Sequence, residues 1–147
     1  MPDVTLTAGW ADMDSNAHMR NTSYLDKAVD ARMLFFTSVG FPVTEFERLR
    51  LGPVVMRDEM EYYREVRMLE ALRVTLHLCG MSADGSRFRL RNEFYRQDGK
   101  LAARVTSTGG WLDLGLRKLT APPDSIVAAL LSLPRAEDFE DLPSSLK

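Results

Sequence analysis

The densest group of chemically useful side chains lies near the start of the chain, just before the most helix-like segment. Carboxylate, imidazole and amide residues follow one another at short spacing, namely Asp12, Asp14, Asn16, His18 and Asn21. Polar side chains spaced by two cannot form a buried apolar face. The first turn of a helix has unpaired N–H groups that carry about half a positive charge, so an anion or an oxyanion can bind there. The cluster therefore predicts a reactive site at a helix N-terminus.

The helix that follows this cluster is predicted over residues 22–39. A broad apolar stripe runs along it, and small residues make up part of the stripe, which suits close packing against a sheet. Its start has two possible caps: Ser23 with Asp26 three residues on, which resembles a capping box, or Asn21 alone. Gly40 marks its end.

The rest of the chain is mostly predicted to be β-structure. A short strand opens the chain, two shorter helices are added, and period-two alternation begins after residue 53. The predicted strands cover residues 4–9, 54–66, 72–79, 87–94 and 101–114, and the two shorter helices cover residues 44–51 and 122–133. Gly109-Gly110 indicates a bulge or bend in the last of these strands.

These elements predict a single α+β domain over residues 1–147. A five- to six-stranded antiparallel sheet wraps one long central helix. The acidic tail, residues 135–147, is expected to be loosely held. The open edges of such a sheet favour pairing with a second copy, so we expect a homo-oligomer.

The composition excludes several classes of function. A net charge of −2 and a pI near 5.7 argue against binding to nucleic acid or to a membrane surface. Cys79 is the only cysteine, which excludes an internal disulfide and a multi-cysteine zinc site, and two well-separated histidines argue against a zinc enzyme. No stretch approaches the ~18 continuous apolar residues of a membrane span, and the first residues lack a signal-peptide layout. We therefore expect a cytoplasmic protein.

The polar cluster resembles the signatures of two groups of enzymes. The segment WADMD at residues 10–14, followed by Asn16, His18, Asn21 and Tyr24, resembles the opening signature of hot-dog-fold thioesterases of the 4-hydroxybenzoyl-CoA thioesterase type. The spacing from Asp14 to Asn21 also resembles the D-x-N-x-H-x-x-N motif of plant acyl-ACP thioesterases. Two later segments, GPVV at residues 52–55 and MEYYREV at 60–66, are similar to the second-strand pattern of both groups.

The chain departs from these patterns at three positions. Met19 and Arg20 stand where many relatives have Val-Asn, and Val66 stands where the plant enzymes have cysteine. Because of these departures, the resemblance does not fix the substrate class or imply a plant-type mechanism. The resemblance as a whole extends over about residues 4–133.

The resemblance implies a role for each polar residue of the cluster. Asp14 takes the position of the catalytic carboxylate, where it can attack a thioester carbonyl or deprotonate a water molecule. Asn16 and His18 are implied to orient or polarise the reacting groups. Glu65 matches an acidic residue that can activate water, which makes it a rival base to Asp14. Of the two, we expect Asp14 to be the catalytic carboxylate, as a nucleophile or as a general base.

Substrate-binding roles are less sharply predicted. The backbone N–H near Asn21 is the expected oxyanion donor, and a capping role for Asn21 is compatible with that. Tyr24 is either core packing or a wall of the acyl pocket. Arg87, Arg89 and Arg91 form a basic stripe that is either a solvated face or a binding surface for CoA phosphates or an acidic carrier protein.

Three further residues are predicted to have no catalytic role. Asp12 is expected to hold the turn through a backbone contact. His77 has no partner close in sequence, and Cys79 alternates with apolar positions at a strand end. We expect both to be structural.

The sequence thus predicts an acyl-CoA thioesterase that needs no metal and no cofactor other than the CoA thioester that it hydrolyses. Its partners are expected to be small-molecule acyl-CoA, or an acyl carrier protein, and a second copy of itself in a homodimer or a dimer of dimers. The alternatives are an acyl-ACP thioesterase, a hydroxyacyl-thioester dehydratase or hydratase, and a non-catalytic acyl-CoA-binding module. The helix-start motif expected of the dehydratases is not found.

Overall fold

The structure, a computed structural model that describes residues 3–146, consists of one large sheet and three α-helices. The helices are α1 (Asn21–Ser38), α2 (Val43–Leu49) and α3 (Asp124–Leu131). The strands are β1 (Val4–Thr7), β2 (Leu51–Tyr62), β3 (Ala71–Val74), β4 (His77–Ser82), β5 (Arg87–Tyr95), β6 (Leu101–Asp113), β7 (Lys118–Thr120) and β8 (Arg135–Leu142). A single turn of 3-10 helix, Trp10–Asp12, follows β1.

All the strands belong to one sheet, with β5 near its centre. Strand β6 pairs with one edge of β5, and β3 and β4 pair with the other edge. Strands β1 and β8 extend the sheet beyond β3 and β4, and β2 and β7 pair with β6. Every pair is antiparallel except β4 with β8. The predicted α+β class with an antiparallel sheet is confirmed, although the sheet has eight strands rather than five or six.

Helix α1 packs its small and aromatic residues against the sheet. Ala28 and Ala31 are fully buried and let the helix lie close to the strands, while Phe35 and Phe36 fill the wider space beyond them. Phe36 contacts the sheet residue Trp111 at a ring-centroid distance of 5.9 Å. The predicted helix over residues 22–39 is confirmed to within one residue at each end.

The segment predicted as one strand over residues 72–79 forms two strands, β3 and β4. Both pair with β5, and one register holds from Arg73 to Leu78 before it shifts at Gly80, but the backbone ladder is interrupted between the two strands. Asn92 causes the interruption, because its buried Nδ2 donates to the carbonyl oxygen of Thr75 at 3.0 Å. The hydroxyl of Thr75 in turn accepts the N–H of Glu93 at 3.2 Å.

The predicted irregularity at Gly109-Gly110 is confirmed as a bulge. The register between β2 and β6 shifts by one residue between Val55 and Arg57, directly opposite Gly109. A Cβ atom on Gly109 would lie 2.3 Å from the carbonyl oxygen of Val54, so no larger residue fits unless the strands move apart.

The acidic tail is not loosely held, and this prediction was wrong over residues 135–142. These residues form β8, which runs parallel to β4 and covers its edge. An acidic strand is favoured here because it lies beside the arginines of β5, which the local sequence could not reveal. The tail prediction extended to Lys147, which lies outside the described residues.

Candidate active site

The loop after β1 is closed by the side chain of Asp14. Its Oδ1 accepts the backbone N–H of Asn16 at 2.8 Å and that of His18 at 3.1 Å. The N–H of Asp14 donates to the carbonyl oxygen of His18 at 2.8 Å. This is the local pairing by which aspartate side chains close tight turns. The loop is therefore held in one conformation, and Asp14 lies where its two ends meet.

Asp12 accepts a backbone N–H, as predicted from the sequence, and it also connects this loop to α1. Its Oδ2 accepts the N–H of Gly9 at 2.7 Å and lies 3.0 Å from Nζ of Lys27. Burial raises the pKa of Asp12, but the Gly9 N–H and the Lys27 ammonium outweigh burial and leave the pKa below its ordinary value. The carboxylate is occupied by these contacts, which is a structural role.

The N-terminus of α1 lies next to the loop and has no side-chain cap among the described residues. The helix begins at Asn21, and the preceding residue, Arg20, caps nothing with its side chain. Both predicted caps are therefore wrong: Asn21 is already helical, and the buried hydroxyl of Ser23 has no hydrogen-bond partner. The N–H of Ser23 donates to the carbonyl oxygen of Arg20, and among the described residues the N–H groups of Asn21 and Thr22 have no partner and remain available to an external acceptor.

A pocket of about 400 Å³ lies at this helix N-terminus. We call it the helix pocket. The loop contributes Asp14, Asn16 and His18, and the helix contributes Asn21 and Tyr24. The end of β2 and the residues that follow it contribute Tyr62, Tyr63, Arg64 and Glu65. The structure therefore brings all four predicted catalytic residues, with Asn21 and Tyr24, to one cavity.

Glu65 reaches the cluster through His18. The Nε2 atom of His18 lies 3.1 Å from Oε2 of Glu65, and the side chain of Glu65 is 73% exposed. The two segments are aligned by the backbone, because the N–H of Met19 donates to the carbonyl oxygen of Val66 at 2.8 Å. Glu65 lies beyond β2, which ends at Tyr62 rather than at residue 66 as predicted.

Three tyrosines form the apolar wall of the helix pocket. Tyr24 is buried, and its ring meets those of Tyr62 and Phe94 edge to face at 5.5 and 5.4 Å. Burial, with smaller contributions from nearby tyrosine and carboxylate groups, raises the pKa of Tyr24 to about 12. The hydroxyl of Tyr62 donates to the carbonyl oxygen of Asn21 at 3.0 Å, which ties the end of β2 to the helix start.

The sequence did not predict a site role for Tyr62, Tyr63 or Arg64. Consecutive residues of a strand point to opposite faces, so two neighbouring tyrosines were not expected in one cavity. Because β2 ends at Tyr62, the backbone changes direction there and both rings line the pocket. The only signal was that all three residues fall in the segment with the second-strand resemblance.

The basic stripe on β5 does not line the helix pocket. Its three residues are bonded to the C-terminal part of the chain instead: Arg91 donates through two nitrogens to Asp138 at 2.9 Å, and Arg89 pairs with Glu140. Nε of Arg87 donates to the hydroxyl of Ser145 at 3.3 Å. Strand β8 therefore satisfies much of the hydrogen-bonding capacity that the predicted anion-binding surface would have used.

Other reactive groups lie away from the helix pocket. Cys79 is buried, and burial, more than the charges around it, raises the pKa of its thiol to about 11. Nδ1 of His77 is buried without a hydrogen-bond partner. Within residues 3–146, no group of three or more His, Cys, Asp or Glu side chains is placed to hold a metal ion, and no helix is long and apolar enough to cross a membrane.

Sequence comparison places the chain in a known superfamily. The profile of the thioesterase-like superfamily matches residues 8–130, which include the loop, α1 and the whole helix pocket. The chain therefore belongs to the thioesterase-like superfamily, and the predicted family resemblance is confirmed. Comparison with curated proteins gives no significant match.

Solved structures confirm the hot-dog fold. A hypothetical protein from Staphylococcus aureus, solved in complex with CoA, has a TM-score of 0.80 and 23% sequence identity, covering 91% of this chain and 86% of that chain. A 1,4-dihydroxy-2-naphthoyl-CoA thioesterase from Synechocystis has a TM-score of 0.79 and 16% identity over 89% of this chain and 96% of that one. A gentisyl-coenzyme A thioesterase has a TM-score of 0.78 and 16% identity over 87% and 98%.

Proposed function

We propose that this protein hydrolyses an acyl-CoA thioester to a free acid and CoA in the helix pocket. The observation that carries the proposal is that the carboxylate of Asp14 and the uncapped N-terminus of α1 line one cavity. Hydrolysis needs a base or nucleophile beside the carbonyl carbon and donors for the oxygen as it gains charge. Two CoA thioesterases of the same fold support this choice of chemistry.

In the proposed reaction, Asp14 acts as a general base. Its Oδ2 takes a proton from water, the water oxygen attacks the carbonyl carbon, and the carbonyl oxygen moves towards the first N–H groups of α1. Collapse of the intermediate breaks the C–S bond and releases the thiolate of CoA, which takes up a proton. Direct attack by Asp14 is less favourable, because an acylated carboxyl group would lose the charge that strengthens its two N–H bonds at Oδ1.

A single turnover in ¹⁸O-labelled water separates the two routes. With Asp14 as a base, the acid released in the first turnover carries the labelled oxygen. With Asp14 as the nucleophile, a mixed anhydride forms; when water attacks the Asp14 carboxyl carbon of that anhydride, the released acid carries an oxygen from the enzyme and the label enters the carboxyl group of Asp14.

His18 and Glu65 are proposed to assist at the rim of the helix pocket. Their 3.1 Å contact orients the imidazole, so that its other nitrogen can face the thioester or its water. The backbone of Asn16 is held by its hydrogen bond to Asp14, and its side-chain amide is proposed to bind the substrate. These roles are secondary to that of Asp14, because Glu65 is largely exposed to solvent, where its charge is screened.

The proposal is tested by thiol release from a panel of acyl-CoA esters. Asp14→Asn keeps the size and an acceptor oxygen but removes the charge, and it should lower kcat by about 10²–10⁴ while leaving the fold intact. The matched control is Asp26→Asn, an exposed carboxylate of α1 that does not line the helix pocket. Wild-type turnover in the Asp14 variant would refute the assignment.

The same panel separates thioester hydrolysis from its rivals. Loss of enoyl absorbance from an enoyl-CoA without thiol release would identify a hydratase. A raised melting temperature with acyl-CoA but no thiol release would identify a binding module. Faster thiol release from an acyl-ACP thioester than from the acyl-CoA ester would identify an acyl-ACP thioesterase that uses the same active site.

We also propose that the working unit is a homodimer or a dimer of dimers. Strand β2 pairs along one edge with β6, and within residues 3–146 its other edge has no partner strand. Most of its residues are exposed, Val55 and Met56 among them, although it is one of the longest strands of the sheet. A long, exposed and partly apolar edge favours pairing with another chain. Sedimentation or light scattering over a range of concentrations tests this, and a monomer at all concentrations would contradict it.

A further inference from the structure

A second pocket, of about 480 Å³, shares one residue with the helix pocket. That residue is Asp14. We call the second cavity the Trp10 pocket; the side chains that matter for its chemistry are Trp10, Met13, Asp14, Arg20 and Met68. Its remaining lining residues are small. The proposed catalytic carboxylate therefore stands where two cavities meet.

The sequence of the loop explains how one short segment serves both cavities. Asp14, Asn16 and His18 line the helix pocket, whereas Met13, Ser15 and Ala17 line the Trp10 pocket. The loop is a tight turn, closed by the N–H of Asp14 on the carbonyl oxygen of His18, and it places alternate side chains in different cavities. The polar residues of the loop are spaced by two, and the residues between them are small or apolar. These intervening residues line the Trp10 pocket.

The two cavities differ in chemistry. The helix pocket presents amides, an imidazole and charged groups beside its wall of three tyrosines. The Trp10 pocket presents an indole and two thioethers beside the charged groups of Asp14 and Arg20, and its large apolar groups are open to solvent: Trp10 is 82% exposed and Met68 is 44% exposed. Exposed apolar surface costs about 25 cal/mol per Å² relative to burial, so an apolar ligand is favoured there.

A thioester substrate has two arms of matching chemistry. On one side of its carbonyl carbon lies the acyl chain, and on the other lies the sulfur with the amide-bearing pantetheine arm. When the carbonyl carbon is at Asp14, the two arms must leave in different directions. The nucleotide of CoA lies at the far end of the pantetheine arm and is too distant from the carbonyl to be the group beside Asp14.

We infer that the Trp10 pocket is the acyl subsite and that Trp10 selects for apolar acyl groups, while the pantetheine arm lies in the helix pocket. This inference rests on the proposed thioesterase function, because it takes Asp14 as the position of the carbonyl carbon. Methionine and tryptophan side chains suit this task, since thioethers adapt to different chain shapes and the indole offers a large flat surface.

The fluorescence of Trp10 provides a direct test of occupancy. The chain has two tryptophans, and Trp111 is fully buried, so quenching by acrylamide reports chiefly on Trp10. The ligands are two stable thioethers, S-decyl-CoA and S-methyl-CoA, and CoA itself, with binding measured separately by calorimetry. We expect S-decyl-CoA to protect Trp10 from quenching, and S-methyl-CoA and CoA to bind without protecting it.

The outcomes distinguish this inference from the proposed function. Equal protection by CoA and S-decyl-CoA would place the pantetheine arm on Trp10 and overturn the inference. Binding of S-decyl-CoA with no protection would overturn it as well, and would leave the proposed thioesterase function intact. Failure of all three ligands to bind, together with no thiol release, would overturn the proposed function and this inference with it.

A kinetic comparison tests selectivity. Trp10→Ala should lower kcat/KM for decanoyl-CoA by about tenfold and leave that for acetyl-CoA nearly unchanged. The matched control is Leu116→Ala, an apolar residue that is 72% exposed and lines neither cavity. If Trp10→Ala lowered kcat/KM by the same factor for both esters, the result would contradict an acyl subsite, because a general defect does not depend on chain length.

Discussion

The backbone N–H of His18 donates to Oδ1 of Asp14 at 3.1 Å, and the carbonyl oxygen of His18 accepts the N–H of Asp14 at 2.8 Å. This reciprocal pair closes the loop and leaves Oδ2 of Asp14 with no hydrogen-bond partner within the described residues. One carboxylate therefore has two tasks: its Oδ1 shapes the loop, and its Oδ2 is left for a substrate or a water molecule.

The two tasks of Asp14 can be separated by two substitutions. Asp14→Ala removes the loop contact as well as the charge, so we expect the free energy of unfolding to fall by about 1 kcal/mol, the net worth of a typical hydrogen bond. Asp14→Asn keeps an acceptor at Oδ1 and should unfold like the wild type. Urea titration of the three proteins measures this, and equal loss in both variants would show that the charge, not the contact, holds the loop.

The His18–Glu65 contact is expected to act as one unit in catalysis. Glu65→Gln and His18→Gln should each lower kcat/KM by about tenfold, and the double variant should be no worse than the poorer single variant, because removing either partner already removes their joint effect. Thiol release is measured for the wild type, the two single variants and the double variant, which together form a double-mutant cycle. Effects that multiply would mean that the two side chains act independently.

A buried polar pair should dominate the stability of the core around α1. Nε of Arg32 donates to Oδ1 of Asn92 at 2.8 Å, and both residues are almost fully buried. Burial lowers the pKa of Arg32 to about 10, with nearby Asp58 opposing the shift, so the guanidinium is still charged at neutral pH. Asn92→Ala should therefore cost about 3–5 kcal/mol of unfolding free energy, because a buried charge loses its acceptor.

A second substitution tests whether that cost comes from the charge. Arg32→Met should be less destabilising in the Asn92→Ala background than in the wild type, with a coupling of about 0.5–3 kcal/mol measured by urea unfolding. Additive losses would assign the effect of Asn92 to its other contact, the carbonyl oxygen of Thr75.

Asp84 is expected to make the fold sensitive to acid. The hydroxyls of Ser144, Ser86 and Ser82 donate to it and hold its pKa well below the ordinary value of 3.8. A carboxylate whose pKa is lowered by folding adds stability above its ordinary pKa, and that stability is lost as the pH falls from there through the folded-state value.

Urea unfolding at about pH 6 and about pH 3 measures this contribution. Asp84→Asn cannot titrate, so it should lose less stability on acidification than the wild type. Ser144→Ala removes one of the three hydroxyls that donate to Asp84, and its loss of stability on acidification should lie between those of the wild type and Asp84→Asn. The same acid loss in all three proteins would assign the sensitivity to other carboxylates.

Local sequence patterns were enough to predict the elements that build the site. The apolar stripe of α1 and the alternation along β5 depend on residues close in the chain, so the helix and the antiparallel sheet were predictable. The polar spacing from Asp14 to His18 likewise predicted a site at the helix N-terminus, and the structure brings those residues to one cavity.

The amino-acid sequence by itself determined the type and order of most elements and the polar loop before α1, because these depend on periodicity and on turn chemistry between near neighbours. Only the tertiary structure decided that the acidic tail is a strand. Arg91 and Asp138 are 47 residues apart, and the local sequence around either residue does not indicate that the two will pair. The same holds for Tyr62 and Tyr63, which reach one cavity only because β2 ends there. Pairing between distant segments depends on the folded chain as a whole, and local patterns do not encode it.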